Sequence, residues 1–512
     1  MKIAIISTYD NAGGAPLAAF RLHKGLRLLN HQSTMVVRFK NSDDPDIYTV
    51  YGKNWQMNME TEVFKTMEKL AIHQNRTELS NTSFSMPYPG FNLTKTDFIQ
   101  SADVINLHWV SYFQSVETIA ALLKLGKPVV WTLHDQNAFT GGCHYAAECP
   151  KYREDCRDCP QLNDNTAQIP FSILNNKALH WQDNLTIVTP SHWLTECARQ
   201  SRLFKNFRVE TIPNSLETDI FTPTEKKAAK QALGIHPLQL TLLIGAHSSN
   251  EKRKGFSQLV EAIHYCLLDQ KFKDLANQGG IKILTFGPPQ EELTHLEIEI
   301  KSFGFIGDTK KLAAIYSAAD LFILPSLEDN LPNTMLESMA CGTPVISFAV
   351  GGMPDLIKEG ITGSMAPCFD SQKLGQAILN LLFDDNKRKQ MNRNCRHMIE
   401  TNFKLQDQAN HYLQLFNELL KGKSIGEKNE RHKPARHEII LDEWEPVCPA
   451  GIFDLYRKSA LTLLIEGMGQ KQKLHEQLNQ MKTGNNRFVA VIGRLGDRFL
   501  EKTKKLLKPK RK

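Results

Sequence analysis

Short apolar runs recur along this chain, each closed by turn residues and followed by a segment with helical spacing. Residues 3–7 form the first run, and the turn at 11–14 leads into a basic amphipathic helix ending near Leu29. Residues 104–108, 128–134 and 185–189 read as further strands before Pro213-Asn214-Ser215. The pattern then restarts, with strands at 240–245, 282–286, 302–306, 321–324 and 345–348 and helices at 373–383 and 406–420. Regular alternation of strand and helix predicts an α/β chain with parallel sheets, and the restart predicts two such units in series.

One stretch, DLFILPSLEDNLPNTMLESMACGTPV at 320–345, carries the most chemistry. Its strand stops at Pro325-Ser326, a polar loop follows, and a short helix opens near Asn333-Thr334 and closes at Gly342. Ligands of open parallel sheets bind outside the carboxyl ends of the strands, where a helix N-terminus attracts anions. Glu337 lies about one turn into that helix, placed for the paired hydroxyls of a ribose. Asp329, in the loop before it, can reach a second polyol. Alone, Glu337 reads equally well as a complement to the helix dipole.

These residues resemble the acidic E-x7-E motif of family-4 retaining glycosyltransferases (glycosyl transferases group 1), here with Asp329 at the first position and Glu328 before it. The resemblance covers roughly residues 1–420 and is of the bacterial surface-polysaccharide type. It implies the GT-B fold: two doubly wound Rossmann-like domains facing a cleft, here with a helical C-terminal extension. It also implies that Glu337 holds the nucleotide ribose and Asp329 the donor sugar. In IGAHSSNEKRKGF (244–256), Lys254-Gly255 resembles the family's phosphate-binding lysine-glycine. Ser249 stands where the family has an arginine, leaving Arg253 as the available guanidinium; by itself this loop reads as a solvated charged turn. Gly13 and Gly14 inherit a place beside the donor diphosphate, although DNAGGAPLAAF is not G-x-G-x-x-G, which weakens a nicotinamide reading. His134, ending PVVWTLH, inherits a hydrogen bond donated to the transferred sugar, while His108-Trp109 shape the acceptor side.

Cysteine usage adds a separate question. Four of ten cysteines fall in GGCHYAAECPKYREDCRDC, as Cys143, Cys149, Cys156 and Cys159, spaced C-x5-C-x6-C-x2-C. A compact set with a C-x2-C half suits structural zinc, and reduced free thiols are the competing reading. Four thiolates leave no open position for catalytic zinc. The block resembles an insertion of some family-4 bacterial enzymes, which implies a rigid loop over the acceptor side. Asp44-Pro45-Asp46, in NSDDPD, reads as a turn rather than a metal-binding Asp-x-Asp.

Composition narrows the rest. A chain of 512 residues, 41% hydrophobic and 23% charged, suits two globular lobes and an extension. The expected division is an acceptor-side domain at 1–215 with the Cys-rich insertion at 141–162, a nucleotide-sugar domain at 216–420, a linker at 421–437 and a helical basic extension at 438–512. Net charge +7 gives no argument for nucleic acid. Met1-Lys2 leads straight into an apolar strand without a cleavage pattern, and no apolar run approaches the ~18 residues of a membrane span. The expectation is therefore a cytoplasmic chain. In its tail, Phe488, Val491, Ile492, Leu495 and Phe499 face Arg487, Arg494, Arg498 and Lys502 at helical spacing. That arrangement suits an anionic surface on the inner face of the cytoplasmic membrane, or packing against the protein itself.

The function expected is transfer of a sugar from a nucleotide-sugar donor, UDP- or GDP-linked, to a saccharide or lipid-linked acceptor. It would proceed with retention and without a catalytic metal or other cofactor. The rival readings are a sugar-nucleotide epimerase on the same fold and a non-catalytic scaffold that recruits partners through its tail.

Overall fold

The computed structural model describes residues 1–52, 55–80, 83–88, 90–163, 166–181, 184–245, 251–289, 291–421 and 438–441. Fourteen strands are present among them: β1 Lys2–Tyr9, β2 Gln32–Phe39, β3 Ile47–Gly52, β4 Val104–Leu107, β5 Val129–Thr132, β6 Leu185–Thr189, β7 Val209–Thr211, β8 Leu240–Gly245, β9 Ile281–Phe286, β10 Glu299–Ser302, β11 Leu321–Leu324, β12 Val345–Phe348, β13 Gly363–Ala366 and β14 Glu438–Leu441. They form two wholly parallel sheets, ordered β14-β3-β2-β1-β4-β5-β6-β7 and β10-β9-β8-β11-β12-β13. Both contain the doubly wound sequence 3-2-1-4-5-6, so each reverses direction once. The reversal falls between β1 and β4 in the first lobe and between β8 and β11 in the second.

The central strands are buried on both faces, which is why they stood out as continuous apolar runs: β4, β5, β6, β9, β11 and β12 have no exposed residue. The strand expected at 302–306 lies instead at Glu299–Ser302. This is an edge strand with half-exposed polar residues, and Gly304 at φ 63° turns the chain away after it. The sequence reading also lacked β2, β3, β7 and β13. Glu438–Leu441, expected to begin a helical extension, is a strand paired with β3. Residues 422–437 and 442–512, the expected linker and the rest of the basic extension, lie outside the described residues.

The helices that matter below are α1 Gly14–Leu28, α2 Trp55–Ala71, α3 Phe256–Cys266, α4 Asn333–Ala340, α5 Ser371–Leu382 and α6 Leu405–Lys421. Although α6 follows the second lobe in sequence, it packs on the first. Ala409, Tyr412 and Phe416 share a core with Ile3, Ile5, Leu22, Leu26 and Val130, and the Tyr412 hydroxyl bonds the Thr132 hydroxyl at 2.8 Å. Helix α6 therefore ties the two lobes together rather than closing the second. The second lobe has its own cores on either side of β8, β11 and β12, one of them shared with α3 and α5. Helix α2 belongs to a separate unit of residues 54–75 and 445–512. Among the described residues, no helix is long and apolar enough to cross a membrane.

Candidate active site

At the second lobe's switch point, two loops bring cations against a carboxylate. The loop after β8 ends in Arg253-Lys254-Gly255 and opens α3. Gly255 adopts φ 70°, and a Cβ there would lie 1.9 Å from the Pro325 carbonyl oxygen, so only glycine lets this loop sit against the end of β11. The Lys254 ammonium consequently reaches Asp329 Oδ2 at 2.6 Å, and Arg253 Nη1 reaches the same oxygen at 3.3 Å. Ser326, Tyr145 and the Asn330 amide also donate to this carboxylate. Burial would raise the Asp329 carboxyl, but the two cations outweigh it and hold the group ionised. Arg253 is fixed further by Glu251 at 2.6 Å and by stacking over the Tyr145 ring at 4.2 Å. Burial draws Glu328, next in sequence, up to about 7. Ser249 lies at 246–250, outside the described residues.

Helix α4 presents an N-terminus with no side-chain cap, because Pro332 precedes it. Across from it, α1 also begins without a side-chain cap, at Gly13 with φ 96°. The Asn333 amide donates to the Gly14 carbonyl at 2.8 Å, bringing the two ends together. Uncapped helix N-termini leave amide donors that suit an anion. Thr334, half-buried, lies in the same first turn.

The first lobe offers neutral groups. Asn106 donates to the Leu107 and Val130 carbonyls, which fixes its amide so that Oδ1 faces His108 Nε2 at 3.0 Å. His108 must therefore carry its proton on Nε2, leaving Nδ1 to accept from His134 Nε2 at 2.9 Å. His134 thus spends its proton on His108, and its Nδ1 is an acceptor. Burial lowers both rings, His134 to about 4 despite the nearby Asp135 carboxylate, so both are neutral near pH 7. Asp135 accepts from Trp109 Nε1 at 3.1 Å and pairs with His144 Nδ1 at 2.6 Å. Asn330 of the second lobe donates to the His134 carbonyl at 3.1 Å.

Glu337 is only 4% exposed. Its Oε1 lies 2.9 Å from Arg21 Nη2, and Tyr316 donates to its Oε2 at 3.3 Å. Arg21, 1% exposed on α1 of the first lobe, also reaches Glu217 Oε2 at 2.9 Å, and Lys24 takes Glu217 Oε1 at 2.8 Å. Two cations thus face two carboxylates. Removing one member would strand a buried charge at a cost of about 3–5 kcal/mol.

The Cys-rich segment spans the lobes. Cys143 bridges to Phe84 in the first lobe, whereas the Tyr145 hydroxyl reaches Asp329 Oδ1 at 3.2 Å and the Ala147 amide reaches Glu328 Oε2 at 3.1 Å in the second. It therefore braces the loop that carries Glu328 and Asp329. Cys143, Cys149, Cys156 and Cys159 are unbridged and line one cavity of about 20 Å³. Burial and the three neighbouring sulfurs push Cys143 well up, and Cys159 is raised by burial against the opposing amides of Gln161 and Leu162. Among the described residues, no three His, Cys, Asp or Glu side chains already stand as a metal-holding group.

Of the candidate residues from the sequence, Gly13, Gly14, His108, Trp109, Arg253, Lys254 and Asp329 fall at the two switch points, Asn333, Thr334 and Glu337 lie in α4, and His134 and the four cysteines follow β5. Arg21, Glu217, Tyr316 and Tyr145 were not foreseen. Arg21 had one legible signal: helical spacing puts it with Ala18 and Gly25 on the buried face of α1, where a charge requires a partner. Nothing local identifies that partner, which is 316 positions away.

Residues 239–384 match the family described as glycosyl transferases group 1. The N-acetyl-alpha-D-glucosaminyl L-malate synthase of Bacillus anthracis is 24% identical over 228 residues, covering 43% of this chain and 56% of that enzyme. The D-inositol 3-phosphate glycosyltransferase of Mycobacterium marinum is 25% identical over 187 residues, covering 34% of this chain and 37% of that enzyme. The chain thus spans roughly half or less of these relatives' lengths. Among solved structures, the sucrose-phosphate synthase of Thermosynechococcus elongatus aligns with TM-score 0.54 at 18% identity, over 82% of this chain and 99% of that one. Anabaena HepE in complex with UDP and glucose aligns with TM-score 0.54 at 16% identity, over 81% and 99%. The fold is GT-B.

Proposed function

We propose that this chain is a retaining glycosyltransferase that moves a sugar from a nucleoside-diphosphate sugar to a saccharide or lipid-linked acceptor. The observation that carries this is the Arg253–Lys254–Asp329 cluster beside the uncapped start of α4, inside the segment that matches the glycosyl transferases group 1 family. In the free chain Asp329 is the counter-ion of both cations. A donor diphosphate supplies the same charge, so Lys254 and Arg253 turn to phosphate and Asp329 is released to the sugar hydroxyls. Charge builds on the diphosphate as the glycosidic bond breaks, and fixed cations with helix N-termini stabilise it without a metal ion. Glu337 takes the ribose, His134 Nδ1 accepts from a hydroxyl of the transferred sugar, and His108 and Trp109 border the acceptor. No protein nucleophile is assigned: the acceptor hydroxyl attacks on the face the phosphate leaves and gives its proton to the departing phosphate oxygen. UDP is the first donor base to try, because HepE binds it.

A structural zinc held by Cys143, Cys149, Cys156 and Cys159 belongs to this proposal. Four thiols around one ion-sized cavity fit it, and ligation would draw them together. Action in the cytoplasm, with the basic tail on anionic lipid, completes the reading.

The deciding measurement is the melting temperature of the purified chain with UDP, GDP, ADP, CDP and dTDP, each without added metal. One nucleotide should raise it, since a ligand of the native state stabilises by linkage, and Glu337→Gln should abolish the rise. No shift with any of the five would overturn the donor site.

A further inference from the structure

We propose that Arg21 is a positioning residue of the donor site, supplied by the first lobe to keep the Glu337 carboxylate ionised and aimed in the second. The inference rests on the reading of Glu337 as the ribose contact, and it adds that the ribose site is incomplete without the other lobe.

Three observations carry it. Arg21 is among the largest fully buried side chains of the protein, yet both its ionic partners belong to the other lobe. On the same helix Leu22 and Leu26 pack into the first-lobe core, whereas the Arg21 guanidinium is spent on carboxylates of the other lobe. The four charges balance as two and two: Arg21 and Lys24 against Glu217 and Glu337. Lys24 is committed to Glu217, so Arg21 is the only cation bonded to Glu337 among the described residues. Finally, Arg21 Nη1 is buried without a hydrogen-bond partner among the described residues, a deficit that a ligand oxygen would relieve.

The consequence concerns protonation. A ribose diol presents two O–H donors and needs an ionised carboxylate to accept both. Burial and the neighbouring Glu217 charge raise Glu337, and Arg21 with Tyr316 opposes the rise without cancelling it. Without Arg21 the Tyr316 hydroxyl is the remaining donor to Glu337 among the described residues, and burial with Glu217 pushes the carboxyl further towards its protonated form. One oxygen then becomes a donor and the diol loses an acceptor. Raising the pH removes that proton and restores the site. A variant lacking Arg21 should therefore bind nucleotide weakly at neutral pH and recover as pH rises, whereas the wild type stays flat.

The experiment measures the affinity of UDP, or of whichever of GDP, ADP, CDP and dTDP stabilises the wild type, from pH 6.5 to 9 by calorimetry. It compares wild type, Arg21→Met, Arg21→Lys, Arg21→Met with Glu217→Gln, and Glu337→Gln. The double variant also removes the Glu217 carboxylate that Arg21 otherwise pairs with, and it serves if the single one unfolds. The expected result is about tenfold or greater loss for Arg21→Met at pH 7, most of it recovered at pH 9. The double variant should recover at lower pH than the single one, because Glu217 no longer raises Glu337, and Arg21→Lys should be partly rescued at pH 7. Wild-type affinity at every pH in both methionine variants, with Glu337→Gln weakened, would overturn the inference alone. A loss that does not change with pH would reduce Arg21 to packing. Wild-type affinity in Glu337→Gln would overturn the ribose reading itself.

Discussion

The two sheets share one strand order, yet their switch points gather opposite chemistry. The first lobe presents a neutral chain of fixed direction, Asn106–His108–His134, beside a single carboxylate, Asp135, bonded to Trp109 and His144. The second presents charge, with Lys254 and Arg253 on Asp329. Neutral donors and acceptors discriminate hydroxyls by position, whereas paired cations recognise phosphate by charge. The fold supplies two equivalent crevices, and the loops alone decide what each one takes. The interface between them is polar as well: Arg21 and Asn333 from opposite lobes each cross it.

The comparison breaks most visibly at Lys254. Lys254→Met should lower kcat/KM for the nucleotide sugar by about 10²–10³-fold, with the acceptor KM nearly unchanged. An equal loss in both would mean that the charged crevice serves the acceptor as well. The brace between the crevices should give the next largest effect. Metal analysis of chain purified without chelator should find about one zinc per molecule. Its removal, or Cys156→Ser, should lower the melting temperature by several degrees and weaken nucleotide binding, because Tyr145 and Ala147 lose their hold on Asp329 and Glu328. Only trace metal, with all four thiols open to a thiol reagent, would return the cluster to free cysteines.

The smallest effect should sharpen the neutral side. Folding lowers His134 from its usual 6.5 to about 4 by burial, against the pull of Asp135. Between those values the unfolded chain binds a proton that the folded chain refuses. The contribution is therefore fully present above about pH 6.5 and is lost as pH falls towards 4. His134→Gln should flatten this part of the melting-temperature profile. An unchanged slope between pH 6.5 and 4.5 would show that the histidine pair is not kept neutral.

Much of this was legible in the chain itself. Strands buried on both faces must be continuously apolar, so β1, β4, β6, β8, β9, β11 and β12 announced themselves. Edge strands such as β10 need not be apolar, so the strand read from the apolar run at 302–306 began where the true strand, Glu299–Ser302, ends. Lys254, Asp329 and Glu337 were singled out by the family resemblance, since alone the Lys254 loop reads as a solvated turn and Glu337 as a complement to a helix dipole. Their partners could not be. Lys254 meets Asp329 across 75 positions, and Arg21 meets Glu337 across 316. Local periodicity reports which face of an element is buried but not what is buried against it. The sequence thus determined the two-lobed α/β plan and the residue types at the crevices. Only the tertiary structure decided that α6 returns to the first lobe, that His134 pairs with His108 and that Arg21 pairs with Glu337. Each of these depends on a hydrogen bond or packed surface between segments far apart in the chain, where pairing is set by the fold as a whole.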